Sequence, residues 1–461
     1  MNAPPGEHEL EDLRTALEQE KAAHERTRNE LALTELAYRL FVPSQFMKLM
    51  GANSILQARL GQHADQALTV LFSDIRDFTT LSESMNQQEN FRFLNSYLGE
   101  VGPIIERFGG FIDKFVGDGI MALFPGGSDD GLRAAIGMLR NLERYNDGRQ
   151  RAAYYPLRIG VGLNSGITML GTIGAQNRME TTVIGDTVNV ASRLQSITRI
   201  YGAPLLISEH TLYGLADASR YSIRLIDRVR VKGKIHPQSV YEVFDADPAE
   251  LRDAKRRTLS QFGHAIACYH LRDIERSHAL LQQCRDAGPP DSVVELYIER
   301  CERYLASGEH EGTGELDLIP EWREEFSIGV AEIDAQHRQL LEQMRRLSDR
   351  VRDGSHGEVN EVLDFLGRYV VDHFRDEEHL MRDSHYPFLE QHVHEHRTFQ
   401  TYYLKLREEI ENGNSDPTYI NFRIQLLLVD WLINHTTKTD RHLGSFLRNP
   451  AVLDPEPGFV H

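Results

Sequence analysis

From Leu68 to Phe244 the apolar residues come in short runs separated by Gly and Asp. The runs are Leu68–Phe72, Phe111–Phe115, Ile120–Phe124, Leu157–Leu163, Pro204–Ser208 and Val240–Phe244. Short apolar runs bounded by turn-formers predict strands, and the helical spacing of Gln88–Phe108, Asp130–Glu143 and Thr187–Ile200 predicts helices between them. A chain with this texture has to build a sheet with helices laid on it. Gly117 and Gly119 on either side of Asp118 supply the backbone freedom of a tight hairpin.

On both sides of this stretch the texture is helical. Glu7–Leu40 lacks Gly and Pro and reads as one helix. Leu10, Leu13, Leu17, Leu31 and Tyr38 lie near a heptad seam that Glu20, His24 and Thr27 interrupt, so a short parallel coiled coil and a solvated, docked helix both fit. Pro248–Leu305 reads as helices around the turn Ala287-Gly-Pro-Pro-Asp-Ser, somewhat like a tetratricopeptide unit. One such unit buries too little, so it is expected to lean on its neighbours. After Trp322 the pattern is of helices with short polar breaks, which predicts an antiparallel bundle. The expected organisation is an N-terminal helix (1–42), a transducer segment (43–66), a sheet domain (67–246), a helical connector (247–307), a linker (308–320), a bundle (321–447) and a tail (448–461).

With 51 basic and 69 acidic residues the net charge is −18, which argues against a nucleic-acid surface or an anionic-membrane anchor. No apolar run is long enough to span a bilayer, and Met1–Glu11 lacks the basic and apolar regions of a signal peptide. Cys268, Cys284 and Cys301 form no C-x-x-C pair and are expected to be reduced and half-buried. These features predict a cytoplasmic protein.

Two carboxylates mark the sheet domain. Asp74 ends the strand run Val70–Asp74, and Asp118 sits in the hairpin tip. Carboxylates that converge can share hard cations about 4 Å apart, the arrangement used for phosphoryl chemistry. These segments, together with Glu180–Arg193 and Val229–Lys234, resemble the class III adenylate and guanylate cyclase catalytic domain, in order, over about Ala67–Phe244. The resemblance implies a ferredoxin-like mixed α+β fold. It implies two Mg²⁺ or Mn²⁺ ions per site on Asp74, Asp118 and the Ile75 carbonyl, with Phe78 and Thr79 opening a helix beside the phosphates. Asn189 and Arg193 match the residues that place the ribose and stabilise the transition state, and Lys232 the one that grips the terminal phosphates. Lys114 and Thr182 occupy the base-reading positions. An ammonium can donate to adenine N1 but offers nothing to a guanine N1–H, so ATP is the expected substrate. In this family the site forms between two subunits, which implies a homodimer.

The chain holds 20 histidines, ten of them between Trp322 and Phe446. His373 and Glu377 are i, i+4 on one helix, as are His392 and His396, so each pair presents two ligands on one face. His337 precedes them, and His435 and Asp440 follow. The order His, His-x3-Glu, His-x3-His, His-x4-Asp resembles the haemerythrin family over Trp322–Phe446. That resemblance implies an all-α four-helix bundle with a non-haem di-iron centre bridged by Glu377 and Asp440, and O₂ as its ligand. His392, His396 and His435 would hold one iron, and His337 and His373 the other. His356, His379, His385, His394 and His442 are expected bystanders.

The combined expectation is an adenylate cyclase, converting ATP to cyclic AMP and pyrophosphate, regulated by O₂ or iron redox state in its C-terminal bundle. The alternatives are a guanylate cyclase with the same sensor, and an oxygen- or iron-binding protein whose cyclase domain only dimerises.

Overall fold

The computed structural model describes residues 7–39, 41–52, 55–152, 154–175, 178–230, 237–308, 322–352, 356–411 and 417–448. Lys232, the 309–321 stretch holding most of the expected linker, and 449–461 lie outside the described residues. Along the chain come α1 (Glu7–Arg39), α2 (Ser44–Leu49), β1 (His63–Ile75), α3 (Phe78–Glu83), α4 (Gln87–Arg107), β2 (Phe111–Val116), β3 (Gly119–Phe124) and α5 (Ser128–Arg151). Then follow β4 (Ile159–Ala175), β5 (Arg178–Ile184), α6 (Asp186–Tyr201), β6 (Leu205–Ser208), α7 (Glu209–Tyr213), β7 (Ile223–Arg230) and β8 (Pro237–Val243). The helices α8 (Ala249–Arg257), α9 (Leu259–His270), α10 (Ile274–Asp286) and α11 (Ser292–Ser307) lead to α12 (Ala331–Arg352), α13 (His356–Asp383) and α14 (Leu389–Glu411). A last rod comprises α15 (Pro417–Ile424), α16 (Trp431–Asn434) and α17 (Arg441–Arg448), joined by π-helical turns at Gln425–Asp430 and His435–Asp440.

The chain forms two units. One holds Met1–Ala64 and Met169–Ile184, the other Asp65–Thr168 and Gly185–His461. In the first, α1 carries Leu17, Leu31, Leu36 and Tyr38 exposed, and Pro43 opens α2. The distal half of β4 pairs antiparallel with β5, Met169 opposite Ile184 and Ala175 opposite Arg178. Thr172 anchors this hairpin by accepting from the Gly61 N–H at 3.0 Å and donating its own N–H to the Gln62 carbonyl at 2.9 Å.

In the second unit the strand order is β2-β3-β1-β4-β6-β8-β7, with β4 and β6 parallel and the β1–β3, β2–β3, β6–β8 and β7–β8 pairs antiparallel. The β2-β3-β1-β4 part, with α4 and α5, is the ferredoxin-like arrangement. Strand alternation sorts two cores. Leu205 and Ile207 of β6 join the core under α4 and α5, while Leu206 joins that of α6 and the helices after β8. Gly160 and Gly162 face α6 so closely that a Cβ on Gly162 would lie 2.2 Å from the Gln195 N and 2.6 Å from the Ala191 carbonyl. Glycine there lets α6 lie directly on the sheet.

The α8–α11 segment is cemented to the sheet rather than merely leaning on it. Arg224 in β7 forks onto Asp291 at 2.6 and 2.8 Å and reaches Glu242 at 2.6 Å, and Lys255 joins Glu242 and Asp247 at 2.7 and 2.6 Å. These charges are buried, so each is held only because its partner is there. The three cysteines are free and buried, more so than expected. Among the described residues no helix is long and apolar enough to cross a membrane.

Candidate nucleotide site and metal centre

Asp74 and Asp118 meet because of strand register. Ser73 pairs with Ile120, which puts Asp74 beside the Gly117–Asp118 tip between β2 and β3. The Ile75 N–H donates to Asp118 Oδ2 at 3.2 Å. A Cβ on Gly119 would come within 3.1 Å of the Val116 carbonyl and 3.2 Å of the Ser73 carbonyl, so the close approach of β3 to its two neighbours favours glycine. Burial, then the hydrogen bond and charge of Asp118, lift the Asp74 carboxyl to about 7. Two carboxylates this close do not both stay charged without a cation, which suits them to metal held with a phosphate ligand.

Phe78 and Thr79 open α3 just after the pair, and Asp77, with φ 58°, makes the turn into it. Arg158 and Arg199 hold Asp77 at 3.3 and 3.1 Å. Arg76 donates to the Thr198 and Ala203 carbonyls at 2.9 and 3.0 Å, tying the end of β1 to the end of α6. Asn189 is exposed and Arg193 half-buried, four residues apart on α6. Among the described residues no hydrogen bond or ion pair joins them to the Asp74–Asp118 pair. Lys114 follows a bulge in β2, where the register skips Asp113, and its Nζ lies 3.3 Å from Asp113 Oδ2. Thr182 is half-buried on β5, opposite Gly171.

The bundle residues form a second, closed site. Ligand atoms of Glu377, His392, His396 and His435 all lie within 4.8 Å of one another. His392 Nε2 and His396 Nε2 approach His435 Nε2 at 3.0 and 3.2 Å, and His396 Nε2 is 3.3 Å from Glu377. Asp440 lies 3.0 Å from His435, 3.1 Å from His392 and 3.3 Å from His337, while His373 is 3.9 Å from Glu377. All seven proposed ligands therefore converge. Each is essentially excluded from water, yet both oxygens of Glu377 and of Asp440 and the Nε2 atoms of His337 and His373 make no hydrogen bond. Buried ligand atoms left without hydrogen bonds and facing one another in this way fit transition-metal binding, for which imidazole and carboxylate are suitable ligands.

The π-helical turn at His435–Asp440 explains a spacing that an α-helix does not. Residues five apart diverge on an α-helix, and the wider winding brings His435 and Asp440 to one side. Burial and the neighbouring His337 push His373 down to about 3. Burial opposes charge on His392 too, but Glu377 and Asp440 more than offset it and raise it to about 9.

Beyond the seven ligands expected from the sequence lies an outer ring of partners. Glu395 bonds His435 Nδ1 at 2.9 Å, Gln336 bonds His373 Nδ1 at 2.8 Å, and Glu378 lies 3.4 Å from His396 Nδ1. Such contacts orient each ring towards its metal. Their signal was available, since Glu378 and Glu395 each adjoin a proposed ligand and Gln336 precedes His337.

Residues 61–244 match the profile described as "Adenylate and Guanylate cyclase catalytic domain", and residues 328–447 match "Hemerythrin HHE cation binding domain". The chain is 40% identical over 241 residues to an adenylate cyclase of Anabaena cylindrica, covering 51% of this chain and 48% of that protein. It is 37% identical over 268 residues to the terminal-differentiation specific adenylate cyclase of Dictyostelium discoideum, covering 57% of this chain and 12% of that one. It is also 30% identical over 135 residues to a bacteriohemerythrin of Stenotrophomonas maltophilia, covering 28% of this chain and 86% of that protein. The chain thus spans about half or less of the two cyclase relatives and most of the bacteriohemerythrin. Residues 61–244 thus carry an adenylate and guanylate cyclase catalytic domain, and through residues 328–447 the chain belongs to the hemerythrin HHE family.

Proposed function

We propose that this chain is an adenylate cyclase that makes 3′,5′-cyclic AMP and pyrophosphate from ATP, and that O₂ or the redox state of a di-iron centre in its bundle sets the rate. The observation that carries the catalytic reading is the contact between the strand end at Asp74 and the hairpin tip at Asp118. Two Mg²⁺ or Mn²⁺ ions on Asp74, Asp118 and the Ile75 carbonyl would supply Lewis-acid activation and neutralise the triphosphate. In the reaction the ribose 3′-oxygen bonds to the α-phosphorus, the bond to the bridging oxygen breaks, and the hydroxyl proton leaves to solvent with pyrophosphate as the other product. Asn189 orients the ribose, and Arg193 meets the charge that develops on the phosphoryl oxygens. Lys232 grips the terminal phosphates. Lys114 donates to adenine N1 and Thr182 accepts from the exocyclic amine.

The site is completed by a second copy. Asp74, Lys114 and Asp118 come from one protomer and Thr182, Asn189 and Arg193 from its partner, so a homodimer holds two sites. Supporting this, Phe115 and Val116 on β2 and Ile173 and Ile184 on the β4–β5 hairpin are each about half exposed, apolar surface that a second copy can cover. The exposed leucines of α1 suit a parallel coiled coil between the same two copies.

In the bundle, His337, His373, Glu377, His392, His396, His435 and Asp440 would hold the iron pair, which supplies reversible O₂ binding and redox chemistry. The buried protein groups keep that centre dry, and Glu395, Gln336 and Glu378 fix the rings.

Competing turnover of ATP and GTP by the full chain with Mg²⁺ or Mn²⁺ tests the catalytic reading. Cyclic AMP is the expected main product, and Lys114→Glu lowers the ATP preference by about 10–100-fold. Cyclic GMP as the main product, or no cyclic nucleotide at all, contradicts it.

A further inference from the structure

The last rod of the bundle lies against the cyclase sheet. Arg228 in β7 meets Asp430 at 2.5 Å, Lys438 Nζ meets His210 Nε2 at 2.9 Å, and Phe422 and Leu426 share a core with Ile226 and Val240. Within this contact one path stands out. His435 is directly preceded by Asn434, whose Nδ2 donates to Glu209 Oε1 at 2.8 Å as well as back to the Asp430 carbonyl at 2.9 Å. Glu209 begins α7, and Ser208 caps that helix by accepting from the Thr211 N–H at 3.1 Å. The Ser208 hydroxyl donates to Asn164 Oδ1 at 2.6 Å, and Asn164 Nδ2 donates to the Thr187 carbonyl at 3.1 Å. Thr187 lies in the first turn of α6, the helix that carries Asn189 and Arg193.

Every residue on this path is buried, Asn434 at 8% exposure being the most open. Buried hydrogen bonds in close-packed surroundings have few other geometries to adopt, so a shift at one end is felt at the other. The element that joins the metal ligands to this path is the π turn at His435–Asp440. Its extra residue per turn serves to align two ligands, and an α-helical winding would turn one of them away.

We infer that Asn434, Glu209, Ser208 and Asn164 are positioning residues that tie the orientation of the metal ligand His435 to that of α6, and so to Asn189 and Arg193. This deepens, and rests on, the reading of the chain as a cyclase controlled by its bundle. It also places the control in direct contact between bundle and sheet, alongside the α8–α11 segment.

The test uses the full chain, metal-free and loaded anaerobically with Fe²⁺. An ATP analogue with a methylene in place of the α,β-bridging oxygen is titrated in Mg²⁺, and the absorption spectrum of the iron centre is recorded with and without it. In the parent, metal loading should change the analogue's Kd by at least about 5-fold, and by linkage the analogue should change the Fe²⁺ affinity by the same factor. Asn434→Ala and, far from the bundle, Asn164→Ala should each reduce that factor to less than about 2-fold, with iron content and spectrum as in the parent. Glu209→Gln keeps an acceptor oxygen for Asn434 and should retain the coupling, whereas Glu209→Leu should lose it. A parental factor in both alanine variants overturns the path but leaves the functional reading standing. A parent whose nucleotide affinity and turnover are both indifferent to metal overturns the path and the regulatory reading together.

Discussion

The cyclase site and the bundle centre both depend on a pair of carboxylates, and they treat them in opposite ways. Asp74 has another carboxylate as its close neighbour and is lifted to about 7 by burial and by Asp118. Glu377 is more deeply buried and also feels a second carboxylate, Asp440, but His392 and His396 more than offset both and hold it below the usual range. Burial likewise works against charge on Asp440, and His435, His337 and His392 keep it well below its ordinary value. The bundle centre is balanced within one chain and suits a resident metal. The cyclase pair is unbalanced and suits cations that arrive with a nucleotide.

The largest effect should come from splitting the open site. Asp118→Ala and Arg193→Ala should each cut cyclic AMP formation by about 10²–10³-fold, leaving iron binding intact. Co-expressing the two variants should restore about a quarter of parental activity, because half of the dimers are mixed and each mixed dimer rebuilds one of its two sites. Failure to restore activity would refute the shared site.

The closed site should break more gently from its outer ring. Glu395→Gln removes the carboxylate behind His435 and should weaken iron binding by about 10–100-fold, measured by chelator competition. Catalysis by the metal-free form should be unaffected.

A smaller effect follows from the raised Asp74. Its folded value lies above 3.8, so the metal-free fold retains a proton there that the unfolded chain has lost, and this contribution to stability falls as pH rises from 3.8 towards 7. Cation binding displaces that proton. Mg²⁺ affinity should therefore rise by up to about tenfold per pH unit below 7 and level off above it. A flat affinity between pH 5.5 and about 7 would show that the pair is already charged.

The two regions also differ in how legible they are. The apolar runs around Asp74 and Asp118 and the i, i+4 pairs His373–Glu377 and His392–His396 are local patterns, and the structure brings each set together. The winding at His435–Asp440 was hidden, because nothing in a spacing of five announces a π turn. The contact between bundle and sheet was hidden more deeply. Arg228, Glu209, Asp430 and Asn434 are polar and read as surface residues. They are paired across 202 residues in one case and 225 in the other, and only the folded chain shows them meeting. Such charges are buried because their partners are present, which no local pattern records.

Control of the open site by the closed one would show first in the rate of cyclic AMP formation in one preparation of the full chain. The rate is measured metal-free, diferrous under anaerobic conditions, diferric, and after exposure of the diferrous form to O₂. At least two of these rates should differ by about 5-fold or more, and His435→Ala should remove the difference without abolishing turnover. Equal rates in all four forms would contradict such control.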